Sequence, residues 1–173
     1  INTPNTLFKN LRLSRDKREL MQELELLIID EVSMLRADML DEIDIILRYV
    51  RKQPLLPFGG VQVLYIGDLF QLPPVVSNDE WEVLKEFYKS PFFFDAQIMQ
   101  QSPPVYLELK KIYRQHEADF INLLNNIRNN IATEEDLLRL HQHYRPGYQS
   151  KDDDNYITLT THNAKADSIN QNK

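Results

Sequence analysis

Cysteine is absent from the chain, so neither a disulfide nor a thiolate-bound metal can contribute to its stability or chemistry. Glycine is scarce, with four among 173 residues. None of them builds a Gly-x-x-x-x-Gly-Lys-Ser/Thr loop, whose backbone amides cradle nucleotide phosphates and whose lysine bridges the β- and γ-groups. No apolar run approaches the roughly 20 residues needed to cross a bilayer. No basic-then-apolar signal segment opens the chain. The default expectation is therefore the cytoplasm, with no membrane partner. Positive charge is also in deficit: 20 Lys and Arg against 26 Asp and Glu leave a net −6. This is not the signature of a basic nucleic-acid-binding domain, although following a single strand needs only a local groove. His116, His141 and His143 lack the Cys or carboxylate partners that zinc spacing requires.

What is present is concentrated in a few strings. With 42% hydrophobic residues the chain can bury a core, and its length fits one domain or a domain plus part of a second. Leu26-Leu-Ile-Ile29 runs directly into Asp30-Glu31, with Ser33 shortly after. An unbroken apolar run of this kind predicts a strand buried on both faces. Carboxylates at its carboxyl end fall where open α/β sheets place their ligands. An Asp there can hold the Mg²⁺ of a nucleotide, and the adjacent Glu can orient an attacking water. The same dipeptide could equally open a loop or cap a helix.

A second run, Val61 to Ile66, ends in Gly67-Asp68. Between the two, Arg36 to Lys52 has helical periodicity, with Leu35, Met39, Ile43, Ile46, Leu47 and Val50 on one face. Pro54, Pro57 and Gly59-Gly60 stop that helix and turn the chain back. Strand, helix and strand make a βαβ unit with parallel strands. Asp30, Glu31 and Asp68 would then leave the same sheet edge. Gly67 allows close backbone approach there, and Gln71 brings both a donor and an acceptor.

Asp30-Glu-Val-Ser-Met34 followed by Gly67-Asp-Leu-Phe-Gln71-Leu-Pro73-Pro74-Val75 resembles motifs II and III of superfamily-one DNA helicases. The likeness is to the Pif-type and RecD-like 5′-to-3′ branch. Leu107 to Gln115, with Tyr113-Arg114-Gln115 at its end, is similar to that family's motif IV. The resemblance implies an α/β fold: a RecA-like parallel sheet with flanking helices, of the P-loop NTPase type but truncated, then part of a second RecA-like domain. It implies ATP and Mg²⁺ as cofactors, with Asp30 on the metal and Glu31, Gln71 and Arg114 catalytic. Asp30, Gly67, Asp68, Gln71 and Arg114 would contact the nucleotide. Arg114 would come from the second domain, where a planar guanidinium can stabilise charge on the transferring phosphoryl group. Read without the family, Arg114 is a surface ion-pair residue.

The implied partner is single-stranded or forked duplex DNA, handled by a monomer; RNA as the translocated strand stays open. Pro73 and Pro74 read as a stiff turn and, with Thr161, His162 and Asn163, as candidates for nucleic-acid contact. Asn163 could instead cap a helix beginning near Lys165. The polar, proline-rich Gln100 to Pro104 predicts the domain boundary, giving residues 1–102 and 103–173.

Further elements are expected at the flanks. Leu11 to Glu25 reads as a helix with Leu20, Met21 and Leu24 toward the sheet, and Glu80 to Tyr88 as an amphipathic helix. Phe92-Phe-Phe94 reads as core packing rather than base stacking. Strands are expected near Tyr106 and over Tyr156 to Thr161, with helices near Glu117 to Asn129 and Thr133 to Tyr144. Lys151 to Asn155 reads as an exposed acidic loop. Opening on Ile1 and stopping at Lys173, the chain looks like the middle of a helicase and is expected to be inactive alone. The competing reading is a nucleotide-independent interaction or scaffold module on the same fold.

Overall fold

The computed structural model describes residues 11–111, 113, 117–148 and 157–171. The chain forms two compact units, Ile1–Lys110 and Lys111–Lys173. In the first, helix α1 (Arg15–Glu23) starts at Ser14, whose hydroxyl accepts the Lys17 N–H at 3.3 Å. Strand β1 (Leu26–Ile29) pairs in parallel with β2 (Gln62–Tyr65), in the register Leu26↔Gln62 to Ile29↔Tyr65. Helix α2 (Ala37–Val50) makes the crossover. Helices α3 (Asn78–Leu84) and α4 (Gln97–Gln101) follow, separated by a short turn of helix at Phe93–Asp95. The expected βαβ unit and α/β class are thus present.

The core sits between α2, α4 and one face of the sheet, and includes Ala37, Leu40, Leu47, Phe58, Val61, Ala96, Ile98 and Met99. Strand residues Leu27, Ile29, Val63 and Tyr65 pack against it. Burial raises the Tyr65 phenol to about 12, with Asp44 adding to the shift. Phe93 lies 6.0 Å from Tyr65, ring to ring, so this part of the aromatic triplet is core packing.

Return from α2 depends on two charged residues. Asp44, only 7% exposed, accepts the Phe58 N–H and the Arg48 guanidinium. Arg51 donates to the carbonyls of Gly59, Met21, Gln22 and Leu24, at 2.6–3.1 Å. It therefore satisfies acceptors at the end of α1 while holding the Pro57–Gly60 turn.

Several expectations give way. The strands are covered on one face only: Leu26, Ile28, Leu64 and Ile66 are 43–54% exposed. The two-stranded sheet packs its core face against the buried cluster and leaves the side chains of its other face about half exposed. The buried stripe of α2 is Ala37, Leu40, Asp44, Leu47 and Val50, while Met39 is exposed. Asp44 occupies a core-facing position that a hydrophobic count skips. Leu20 points to solvent, whereas Met21 and Leu24 reach the core. The helix expected over 80–88 starts earlier, because Ser77 and Glu80 form a capping box, and ends at Leu84.

In the second unit, α5 (Ala118–Arg128) and α6 (Glu134–His141) match the expected helices within a few residues, and α7 (Asn163–Gln171) ends the described chain. Thr133 and Asp136 cap α6, and Asn126 of α5 donates to Asp136 Oδ2 at 2.9 Å. These bonds hold the Asp136 carboxyl below its ordinary range, the Thr133 backbone N–H first. No strand forms near Tyr106 or over 157–161. Val105, Leu107, Ile157 and Leu159 are each more than 80% exposed, since extended chain is a strand only when a neighbour completes its ladder. Lys151 to Asn155 lies outside the described residues.

Candidate active site

The carboxyl ends of β1 and β2 are tied together one residue beyond the sheet. Ile66 N–H donates to the Ile29 carbonyl and Val32 N–H to the Ile66 carbonyl, both at 2.9 Å. Asp30-Glu31 and Gly67-Asp68 therefore leave adjacent parallel strand ends, on one edge. Glu31 sits in the left-handed region at φ 49°, ψ 42°, a conformation that costs a non-glycine residue about 1–3 kcal/mol. The Asp30 carboxylate accepts its N–H at 2.8 Å, and the Glu31 carbonyl takes the Met34 N–H at 3.0 Å. Both side chains are exposed. Backbone strain of this kind persists where the surroundings over-determine it, and it concentrates at functional sites.

Gly67 answers to this turn. A β-carbon there would lie 2.9 Å from Val32 N and 3.0 Å from Val32 Cγ1. Gly67→Ala is expected to destabilise the first unit by about 1–3 kcal/mol, as overpacking does. Urea unfolding followed by circular dichroism measures it, and an unchanged midpoint would contradict the close approach.

Asp68 organises the next segment. Its Oδ1 accepts the Phe70 N–H at 3.1 Å, and its Oδ2 accepts from Gln71 Nε2 at 3.2 Å. Its carbonyl takes the Gln71 N–H at 3.0 Å. Gln71 is thereby held beside the edge with its amide exposed. Pro73 is exposed, whereas Pro74 is buried and lines an open depression of about 360 Å³ with Val76, Asn78, Trp81, Lys89 and Pro91.

Two further residues follow the acidic pair, Ser33 and Arg36, and the sequence marks Arg36 only as the start of the helix. Ser33 is 1% exposed, and its hydroxyl has no hydrogen-bond partner among the described residues. Arg36, at the start of α2, pairs with Asp38 at 2.7 Å and with Glu80 of α3 at 2.8 Å. The Asp38 and Glu80 hydrogen bonds raise the guanidinium's pKa. The Arg36 bond, then the bonds from Ser77, hold the Glu80 carboxyl down at about 2. A depressed carboxyl contributes stability above its unfolded value near 4.5 and loses it as pH falls toward 2. The pair is therefore intact at neutral pH.

The remaining candidates lie elsewhere. Arg114 falls outside the described residues. Thr161, His162 and Asn163 belong to the second unit and are exposed, with Thr161 Oγ1 2.8 Å from His162 Nδ1. Asn163 is the first residue of α7 rather than its cap; the carbonyl of His162 takes the Lys165 and Ala166 N–H groups. Among the described residues no group of three His, Cys, Asp or Glu side chains could enclose a metal. Asp30 offers a hard oxygen donor, which suits Mg²⁺ held by one or two carboxylates with substrate phosphates completing its shell.

The PIF1-like helicase family profile matches residues 1–137. The chain is 37% identical over 123 residues to the ATP-dependent DNA helicase PIF1 of Saccharomyces cerevisiae, covering 70% of this chain and 13% of that protein. It is similar to Bacteroides Pif1 bound to single-stranded DNA, with a TM-score of 0.86 and 43% identity, over 99% of this chain and 42% of that one. The Bacteroides Pif1 complex with ADP-AlF3 and single-stranded DNA gives 0.87 and 43%, over 98% and 42%. The chain thus spans less than half of each.

Proposed function

Because the chain belongs to the PIF1-like helicase family, we propose that it is the segment of an ATP-dependent DNA helicase that carries the metal and water positions of the ATPase site. The observation that carries this reading is the pair of acidic segments leaving adjacent parallel strand ends, locked by the Val32–Ile66 bond with Glu31 in the left-handed region. Residues 1–102 are read as the remainder of a first RecA-like domain and residues 103–173 as the start of a second.

In this reading Asp30 holds Mg²⁺, which when bound neutralises charge on the β- and γ-phosphates. Glu31 orients and deprotonates the attacking water. Gln71, kept in place by Asp68, hydrogen-bonds the γ-phosphate and registers its loss. Arg114 supplies a permanent positive charge from the second domain as the two close on nucleotide. Closing and opening would step the domains along single-stranded DNA. Pro73, Pro74, Thr161, His162 and Asn163 are the proposed points of contact with the strand.

No phosphate-cradling loop occurs among the 173 residues, so the chain by itself is expected to show no Mg²⁺-dependent ATP turnover. A full-length protein carrying both the chain and such a loop should hydrolyse ATP, faster with single-stranded DNA. A phosphate-release assay on both decides the matter. A full-length protein whose turnover ignores single-stranded DNA would sink the motor reading in favour of a scaffold.

A further inference from the structure

We propose that Arg36 is a positioning residue for this site, holding the Glu31 turn and the Gln71 segment in one geometry through its ion pair with Glu80. The inference rests on the proposed ATPase function and deepens it.

Arg36 stands where the two site-bearing segments return to the body of the unit. On one side, the chain from Glu31 to Arg36 is a hydrogen-bonded turn: Met34 N–H donates to Glu31 and Leu35 N–H to Val32, both at 3.0 Å. It leaves no slack between the strained Glu31 and the Arg36 backbone, which itself bridges to Phe92. On the other side, the segment from Asp68 reaches Ser77 and Glu80, the capping pair of α3. Pro73 and Pro74 on the way have no N–H to anchor it. Glu80 accepts the Ser77 N–H at 3.0 Å and its hydroxyl at 2.8 Å, and still offers Oε1 to Arg36. One guanidinium, with Asp38 fixing its plane through two bonds at 2.9 and 2.7 Å, therefore joins both exits.

The geometry distinguishes this pair from the ordinary surface ion pair. Arg36 is 19% exposed at its side chain, whereas the i,i+4 pair Arg15–Glu19 leaves its arginine 88% exposed. Arg36 and Glu80 are 44 residues apart in sequence, so the pair constrains tertiary geometry rather than a single helix. Lysine, with a single ammonium, cannot hold Asp38 through a planar fork and reach Glu80 as well.

The test uses the full-length protein with saturating single-stranded DNA and measures kcat and KM for ATP for Arg36→Ala, Arg36→Lys, Glu80→Gln and the exchanged pair Arg36→Glu/Glu80→Arg. Displacing a reactive geometry by a fraction of an ångström to an ångström costs on the order of 10- to 100-fold. Arg36→Ala and Glu80→Gln are expected to lower kcat about tenfold or more, with KM within about twofold, and the exchanged pair to recover part of the loss. A fluorescent nucleotide titration counts folded sites, so a purely structural defect appears as fewer sites with unchanged kcat per site. Glu80→Gln covers the case in which Arg36→Ala does not fold, because Glu80 is half exposed and keeps its size. Unchanged kcat per site in Glu80→Gln, or in a folded Arg36→Ala, overturns the clamp. If the unmodified protein has no turnover sensitive to Glu31→Gln, the proposed function fails first and the clamp falls with it.

Discussion

Glu31→Gln in the full-length protein is expected to reduce ATP turnover by about 10²- to 10⁴-fold, the usual contribution of a positioned general base. Nucleotide binding should stay within a few-fold. The substitution keeps the size of the side chain and would remove the charge that, in the proposed role, attracts the water proton. Glu31 sits on a turn determined from three sides: the Asp30 carboxylate, the Ile66 carbonyl and the Met34 N–H. The loss should therefore appear in kcat, with little in KM. Single-turnover hydrolysis and equilibrium binding of a non-hydrolysable analogue separate the two. Retention of more than about a third of the wild-type rate would remove Glu31 from the chemistry, since a general base contributes far more than that.

Gly59→Ala is expected to be the most destabilising single-methyl change in the first unit. Its φ is +61°, and a β-carbon would lie 2.7 Å from the Leu47 carbonyl oxygen. That oxygen belongs to the last turn of α2 and accepts the Arg51 N–H, so it cannot retreat without breaking the helix end. The left-handed conformation costs about 1–2 kcal/mol and the overpacking about 1–3 kcal/mol more. The sum is about 2–5 kcal/mol, against a whole-domain stability of about 5–15 kcal/mol. Gly60→Ala is the control, because it shares the positive φ but meets only the flexible Leu56 Cδ1 at 3.3 Å. Chemical unfolding of both variants should show Gly59→Ala as the more damaging. Equal losses would mean that conformation alone governs the turn.

The contrast between helix α2 and its surroundings shows why some features were legible and others were not. Alternation of apolar residues with a period near 3.6 announced the helix to within two residues, since amphipathicity is written locally. The helix's carboxylates, which apolar periodicity leaves aside, have partners that no local pattern shows. Asp38 holds Arg36, and Asp41 accepts the Tyr88 hydroxyl and the N–H groups of Gln97 and Ile98 that open α4. Burial, with Asp41 second, raises the Tyr88 phenol. The partners of Asp41 lie 47–57 residues away, and no local pattern encodes such pairings. Asp44, which the apolar pattern does not mark, is buried because two donors, Arg48 and Phe58 N–H, meet it only in the folded turn.

Strand type followed a similar division. The apolar runs at 26–29 and 62–65 form a parallel pair as expected, because β-branched and leucine-rich segments separated by a helix have few other arrangements. The runs near Tyr106 and at 157–160 have comparable composition and form no strand, because a ladder is a property of two segments and cannot be read from one.

Residue order alone determined the family, the α/β class and the position of the acidic segments, because motif strings and apolar runs are written in adjacent residues. Only the tertiary structure decided the left-handed Glu31, the contact that requires glycine at 67, and the Arg36–Glu80 pair across 44 residues. Each of these depends on where two distant backbones meet, and that distance is set by the packing of α2 and α4 against the sheet.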